Sequence, residues 1–185
     1  MIGDRWGVTM VEIAEEFPCD RLVGEPAIEV WRGVTIAASP EKVWSWLIQV
    51  RLAPYSYDWI DNLGRRSPRV ALGLGDPEVG DRFTASGGRP LGRVLSVEPN
   101  RALTAELAGV LMSYVLRPSG DGGTRLLLKI TARRWGGPFG ALSRVAAPLL
   151  SVGDLVMARR QLLNFKRLAE HATRGSVVAP SGGLR

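Results

Sequence analysis

Histidine and cysteine are nearly absent from this chain: its 185 residues include one of each, His171 and Cys19. A lone cysteine closes no intrachain disulfide and builds no thiolate metal site. One histidine, near the end of the last predicted helix, makes a Ser-His-Asp triad or a histidine-based zinc site improbable. No cofactor is expected. No glycine-rich phosphate loop follows a strand, and Gly73-Leu74-Gly75 lacks the context of a dinucleotide fingerprint. Any catalysis therefore falls to Tyr, Asp, Glu or Arg, as acid, base or electrostatic anchor.

Lysine is scarce as well, with Lys42, Lys129 and Lys166 set against 21 arginines. The arginines are scattered, and the formal net charge is +6. The first 41 residues carry a net −5 and the rest +11. With no helix-turn-helix or zinc-ligand pattern, the basic balance is not read as nucleic-acid binding. It reads instead as an acidic N-terminal arm lying on a basic body.

Long apolar runs are missing too. The most apolar stretch, Val145–Met157, contains Pro148 and Asp154 and is bounded by Arg144 and Arg159. It is too short and too charged to span a bilayer, so stable membrane insertion is not expected. Met1–Met10 has no apolar core and does not read as a signal peptide. The single cysteine fits a reducing compartment, and a cytoplasmic location is expected.

What is present suits one domain, 45% hydrophobic and 23% charged. Residues 1–27 read as an arm, 28–172 as the domain and 173–185 as a flexible Gly/Ser/Pro tail. Ala27–Ala37 is a predicted strand. Ser39-Pro40-Glu41 then starts a helix running to about Leu52, with Val43, Trp46, Leu47 and Val50 on its apolar stripe and Trp44 and Ser45 off it. Tyr57–Leu63 forms a second short helix before a loop over Arg65–Glu78. Five further strands follow: Val79–Ala85, Leu91–Glu98, Ala102–Ala108, Val110–Arg117 and Thr124–Arg133. The last alternates Leu126, Leu128, Ile130 and Ala132 with Arg125, Leu127, Lys129 and Thr131, one buried face and one wetter face. Ser151–Ala172 is a long helix with Leu155, Ala158, Leu162, Phe165 and Ala169 at helical spacing. Segregated strands and helices argue an α+β domain in which a curved antiparallel sheet wraps around this C-terminal helix.

That order resembles the helix-grip fold of the START-related, or SRPBCC, superfamily, which includes polyketide cyclase/dehydrase-like proteins. Val34–Trp44 (VTIAASPEKVW) looks like its first strand running into a capped helix. Ala53–Arg69 (APYSYDWIDNLGRRSPR) resembles a block of one bacterial subgroup, and Val79–Phe83 (VGDRF) its second strand. The resemblance spans Ile28–Ala172. It implies a seventh strand, looked for within Val70–Leu74, and a hydrophobic ligand held between sheet and helix.

Chemistry-bearing residues concentrate in Tyr55, Tyr57, Asp58, Trp59, Asp61, Asn62, Arg65 and Arg66. In a helix-grip fold these aromatics line the pocket mouth and stack on a flat ligand, while Asp or Arg orients its polar end. The competing reading is structural: the rings pack a short helix onto the sheet and Asp61 pairs with Arg65. The expected ligand-binding set is Tyr55, Tyr57, Trp59 and Asp61 with Met112 and Tyr114 from the sheet and Leu155 and Leu162 from the helix. The expected partner is a small apolar molecule, carried or sensed. A cofactor-free cyclase or dehydrase using Tyr57, Asp58 or Asp61 is the alternative, and a partner-binding domain with a collapsed pocket the third.

Overall fold

The computed structural model describes residues 4–24, 26–133 and 156–172. Among these residues seven strands form one sheet: β1 (Arg5–Trp6), β2 (Pro26–Ile36), β3 (Arg82–Ser86), β4 (Arg89–Glu98), β5 (Ala102–Leu107), β6 (Val110–Ser119) and β7 (Gly123–Arg133). Their order is β1-β2-β7-β6-β5-β4-β3. Every pairing is antiparallel except that of β1, which runs parallel to β2 with Trp6 opposite Arg32. The sheet is therefore mixed. Its seventh strand comes from the N-terminal arm, and residues 70–74 form no strand.

The short helices are α1 (Met10–Ile13), α2 (Asp20–Val23), α3 (Pro40–Leu47) and α4 (Asp58–Asp61), and α5 is helical over 156–172. Ser39 takes the N-cap position of α3 with extended backbone, and Pro40 supplies the preset φ of the first turn. The helix stops sooner than its periodicity suggests. Ile48–Arg51 tightens into a 3₁₀ turn before Pro54, a common way to end a helix as the chain approaches a proline. Trp46 and Leu47 are buried, as the stripe requires, but so is Trp44. Its indole nitrogen donates to Asp76 Oδ1 at 2.6 Å, anchoring the loop ahead of β3.

One core lies between the sheet and α5. Val30, Val34 and Ile36 of β2, Tyr114 and Leu116 of β6, and Leu126, Leu128 and Ile130 of β7 meet Ala158, Leu162, Phe165 and Ala169 of α5 there. Four of the five predicted stripe residues are thus buried, while Leu155 lies outside the described residues. Both ends of this helical span are latched. Near its start Gln161 and Asn164 bond the loop after α3. Further on, Lys166 Nζ donates to Thr35 O (2.7 Å) and Glu170 accepts from Ala37 N (2.9 Å).

The opposite face of the sheet departs from expectation. Leu127, Lys129 and Thr131 are buried rather than wet. The arm roofs them: Phe17, Cys19 and Val23 form a second core with Trp31, Leu111 and Leu127. Acid meets base along this seam, Glu12 with Arg125, Glu15 with Arg117, and Asp20 with Lys129. Where the arm crosses β2, two glycines touch. A Cβ on Gly7 would stand 2.3 Å from Gly33 O, and one on Gly33 would stand 2.8 Å from Gly7 O, so neither position has room for a side chain.

Candidate functional site

The dense aromatic and acidic segment starts at Pro54, where the chain leaves the 3₁₀ turn and meets the flank of α5. Gln161 is the hinge of that contact. Its Nε2 donates to Pro54 O at 2.6 Å, and its Oε1 accepts from the Tyr114 hydroxyl at 2.7 Å. One turn on, Asn164 Nδ2 donates to Tyr55 O at 2.8 Å. Loop, helix and strand β6 are joined by side-chain amides in an otherwise apolar interior. Neither amide was among the expected site residues. The signal was a Gln and an Asn three residues apart, bordering an apolar stripe.

Tyr55 is the most constrained member of this group. Its φ of +59° lies in the left-handed region, which a β-carbon disfavours. Its side chain is nevertheless buried, its ring tilted against Phe165 with 5.4 Å between centroids. The phenol oxygen has no hydrogen-bond partner among the described residues. Burial drives its pKa well above the usual phenol range, with the Asp58 charge adding to the effect, so it is held as a neutral donor.

The two carboxylates nearby play different parts. Asp58 is engaged: Oδ2 accepts from Ser67 N at 3.0 Å and Oδ1 from Ser67 Oγ at 2.5 Å. Asp61 is half-buried and does not pair with Arg65. Its Oδ2 accepts from Ser56 Oγ, and its Oδ1 has no partner among the described residues. Burial raises its pKa against the opposing hydrogen bonds. A half-buried carboxyl with a raised pKa is an arrangement suited to acid–base work.

The expected set does not converge on one point. Tyr55, Tyr114 and Leu162 are buried in the core, and Met112 packs on it half-buried. The Tyr114 hydroxyl is satisfied by a helix side chain rather than by backbone. Tyr57 is half-buried under Arg160, whose guanidinium lies 5.7 Å from the ring centre. Trp59 is 75% exposed. Leu155 lies outside the described residues. The Arg159 guanidinium lies over the Trp6 ring of β1, 5.0 Å from its centre. Among the described residues no His, Cys, Asp and Glu group of three or more is arranged to hold a metal ion, and no helix is long and apolar enough to cross a membrane.

No family model matches the chain, and no curated protein does. Several solved structures are similar in fold. A polyketide-cyclase-like protein of Corynebacterium glutamicum is 19% identical, with 82% of this chain and 97% of that one covered at a TM-score of 0.49. A protein of Mesorhizobium loti is 22% identical over 77% of this chain and 97% of its own, at 0.46. The Aha1 protein of Colwellia psychrerythraea, a dimer, is 20% identical over 71% and 98%, at 0.37. The likeness is one of general architecture and brings no ligand or activity with it.

Proposed function

We propose that this domain binds a small, mostly apolar molecule bearing a hydrogen-bond acceptor, held between the sheet and α5 with Tyr55 as donor. The observation that carries this reading is the cost of Tyr55. A left-handed conformation at a bulky residue and a buried hydroxyl without a partner each cost about 1–3 kcal/mol. A residue serving only as core filler needs neither. The loop that holds it is bolted to α5 through Gln161 and Asn164, which preorganises the phenol instead of letting it turn to water. The Tyr55 ring lies against Phe165 and belongs to the same apolar cluster as Phe83 and Leu162, surroundings that would suit the body of such a ligand. Fold likeness to a polyketide-cyclase-like protein is compatible with this reading but does not carry it.

The test is calorimetric titration with 2-acetylnaphthalene and its hydrocarbon counterpart 2-ethylnaphthalene. Wild type is expected to bind both and to prefer the ketone. Tyr55→Phe is expected to keep the hydrocarbon and lose the preference. Binding of neither compound, together with no small molecule retained through purification by native mass spectrometry, would refute the proposal.

A second reading, a cofactor-free cyclase or dehydrase, is favoured by Asp61. Its raised pKa and unpartnered oxygen fit a general acid or base better than a structural carboxylate. Conversion of a poly-β-ketone thioester by wild type, lost in Asp61→Asn at equal melting temperature, is the result that would establish it.

A further inference from the structure

The segment around α4 holds three large apolar side chains in water. Trp59, Ile60 and Leu63 are 75%, 48% and 72% exposed. The backbone carrying them is not loose. Gly64 N donates to Asp58 O at 2.8 Å, Arg65 N donates to Asn62 O at 3.0 Å, and the Asp58 carboxylate closes the segment onto Ser67. Asn62 is buried beneath it and roots it to the β3–β4 turn, donating to Arg65 O and accepting from Gly87 N. Residues 58–67 therefore form a closed knob whose hydrogen bonds fix its apolar side chains outward.

The same knob is basic. Arg65 and Arg66 are exposed on it, Arg69 is exposed just beyond it, and Arg89 is exposed at the start of β4 beside it. Leu63 and Arg65 lie side by side against the β3–β4 turn. A Cβ on Gly87 would stand 2.6 Å from Leu63 Cδ1, and one on Gly88 would stand 2.6 Å from Arg65 Nη1. The acids of the knob are turned inward, Asp58 onto Ser67 and Asp61 onto Ser56. Exposed Trp, Ile and Leu side chains on a segment that also exposes guanidinium groups are complementary to an anionic, deformable surface.

We propose that this knob docks reversibly on anionic lipid bilayers. Trp59, Ile60 and Leu63 enter the boundary between headgroups and acyl chains, and the arginines pair with lipid phosphates. Three side chains, two on a four-residue helix and one just past its end, are too small a patch for a stable protein interface, which needs roughly 800 Å² per partner. A bilayer accommodates protruding side chains without a shaped counterpart. Docking of this kind is surface binding and requires no spanning segment. It stands independently of the ligand reading.

The experiment is co-sedimentation of the full chain with vesicles of phosphatidylglycerol and phosphatidylcholine in equal parts, against pure phosphatidylcholine. Wild type is expected to bind the mixed vesicles, and added salt to weaken binding. The Trp59→Ala/Leu63→Ala pair is expected to lower the partition coefficient about tenfold, as is Arg65→Gln/Arg66→Gln. These residues are exposed, so the melting temperature is expected to stay at the wild-type value, and far-UV dichroism checks this. Absence of wild-type binding to anionic vesicles overturns the proposal, as does equal binding by all variants. Self-association in lipid-free sedimentation that Trp59→Ala abolishes would also overturn it, by assigning the knob to a second copy of the chain.

Discussion

Tyr114 and Gln161 are bound side chain to side chain across the sheet–helix interior, phenol to amide oxygen at 2.7 Å. Because the other end of that amide holds Pro54 O, one glutamine fixes the distance between β6, α5 and the loop bearing Tyr55. Replacing it with leucine keeps most of the volume but removes both of these buried hydrogen bonds. Gln161→Leu is expected to cost about 2–3 kcal/mol in urea unfolding. Tyr114→Phe is expected to cost less when combined with it than alone, a coupling that a double-mutant cycle measures. Additive effects would mean that the bond contributes nothing to stability.

Tyr55→Phe removes only the unpartnered oxygen. Unlike most buried tyrosine truncations, it is expected to leave the ligand-free protein as stable or to stabilise it, by up to about 1 kcal/mol, because no hydrogen bond is lost. A melting temperature lowered by several degrees would show that the hydroxyl has a partner in solution.

Asp61 carries a pKa raised by burial. Such a group binds its proton more tightly in the folded state, so the stability it contributes is present below the unfolded value and lost as pH rises through the folded one. Asp61→Asn is therefore expected to be more stable than wild type at neutral pH, with the gap closing as the carboxyl protonates. Thermal melts across that range give the sign directly.

Glu12 behaves oppositely. The Arg125 hydrogen bond, acting against partial burial, lowers its pKa to about 2. Its contribution is present above the unfolded value near 4.5 and is lost as pH falls toward 2. Glu12→Gln is expected to destabilise at pH 7 and to converge on wild type in strong acid. A gap unchanged between those limits would mean that the arm is held by packing alone.

Lys129 is buried on the arm side, its ammonium 2.6 Å from Asp20 and 2.8 Å from Glu29 and lying over the rings of Phe17 and Trp31. Lys129→Met, which removes the charge but keeps the stem, is expected to be tolerated better than Asp20→Ala/Glu29→Ala. The double acid truncation leaves a buried cation uncompensated and is expected to cost about 3–5 kcal/mol. Chemical denaturation compares the two.

Strand positions, the capped helix α3 and the apolar stripe of α5 were legible in the sequence because each is a local pattern. Period two marks the strands, a Ser-Pro-Glu start marks the helix, and spacings of three and four mark the stripe, all within a dozen residues. The acidic arm was legible as charge, since a net −5 against +11 needs no coordinates. Where that arm lies was not. Leu127 and Lys129 alternate with core residues as a wet face would, and they are covered by Phe17 and its neighbours, more than a hundred residues earlier. The seventh strand was hidden for the same reason: Arg5–Trp6 has no strand pattern of its own and is a strand only because β2 offers it an edge. In the aromatic segment the sequence determined the inventory, Tyr55, Tyr57, Trp59 and Asp61, and tertiary structure sorted it. Tyr55 turns inward because Gln161 and Asn164 seize the loop around it, and Trp59 faces water because Asn62 roots the knob on the β3–β4 turn. Spacing along the chain carries no record of such contacts, since they form between residues that only the folded sheet and helix bring together.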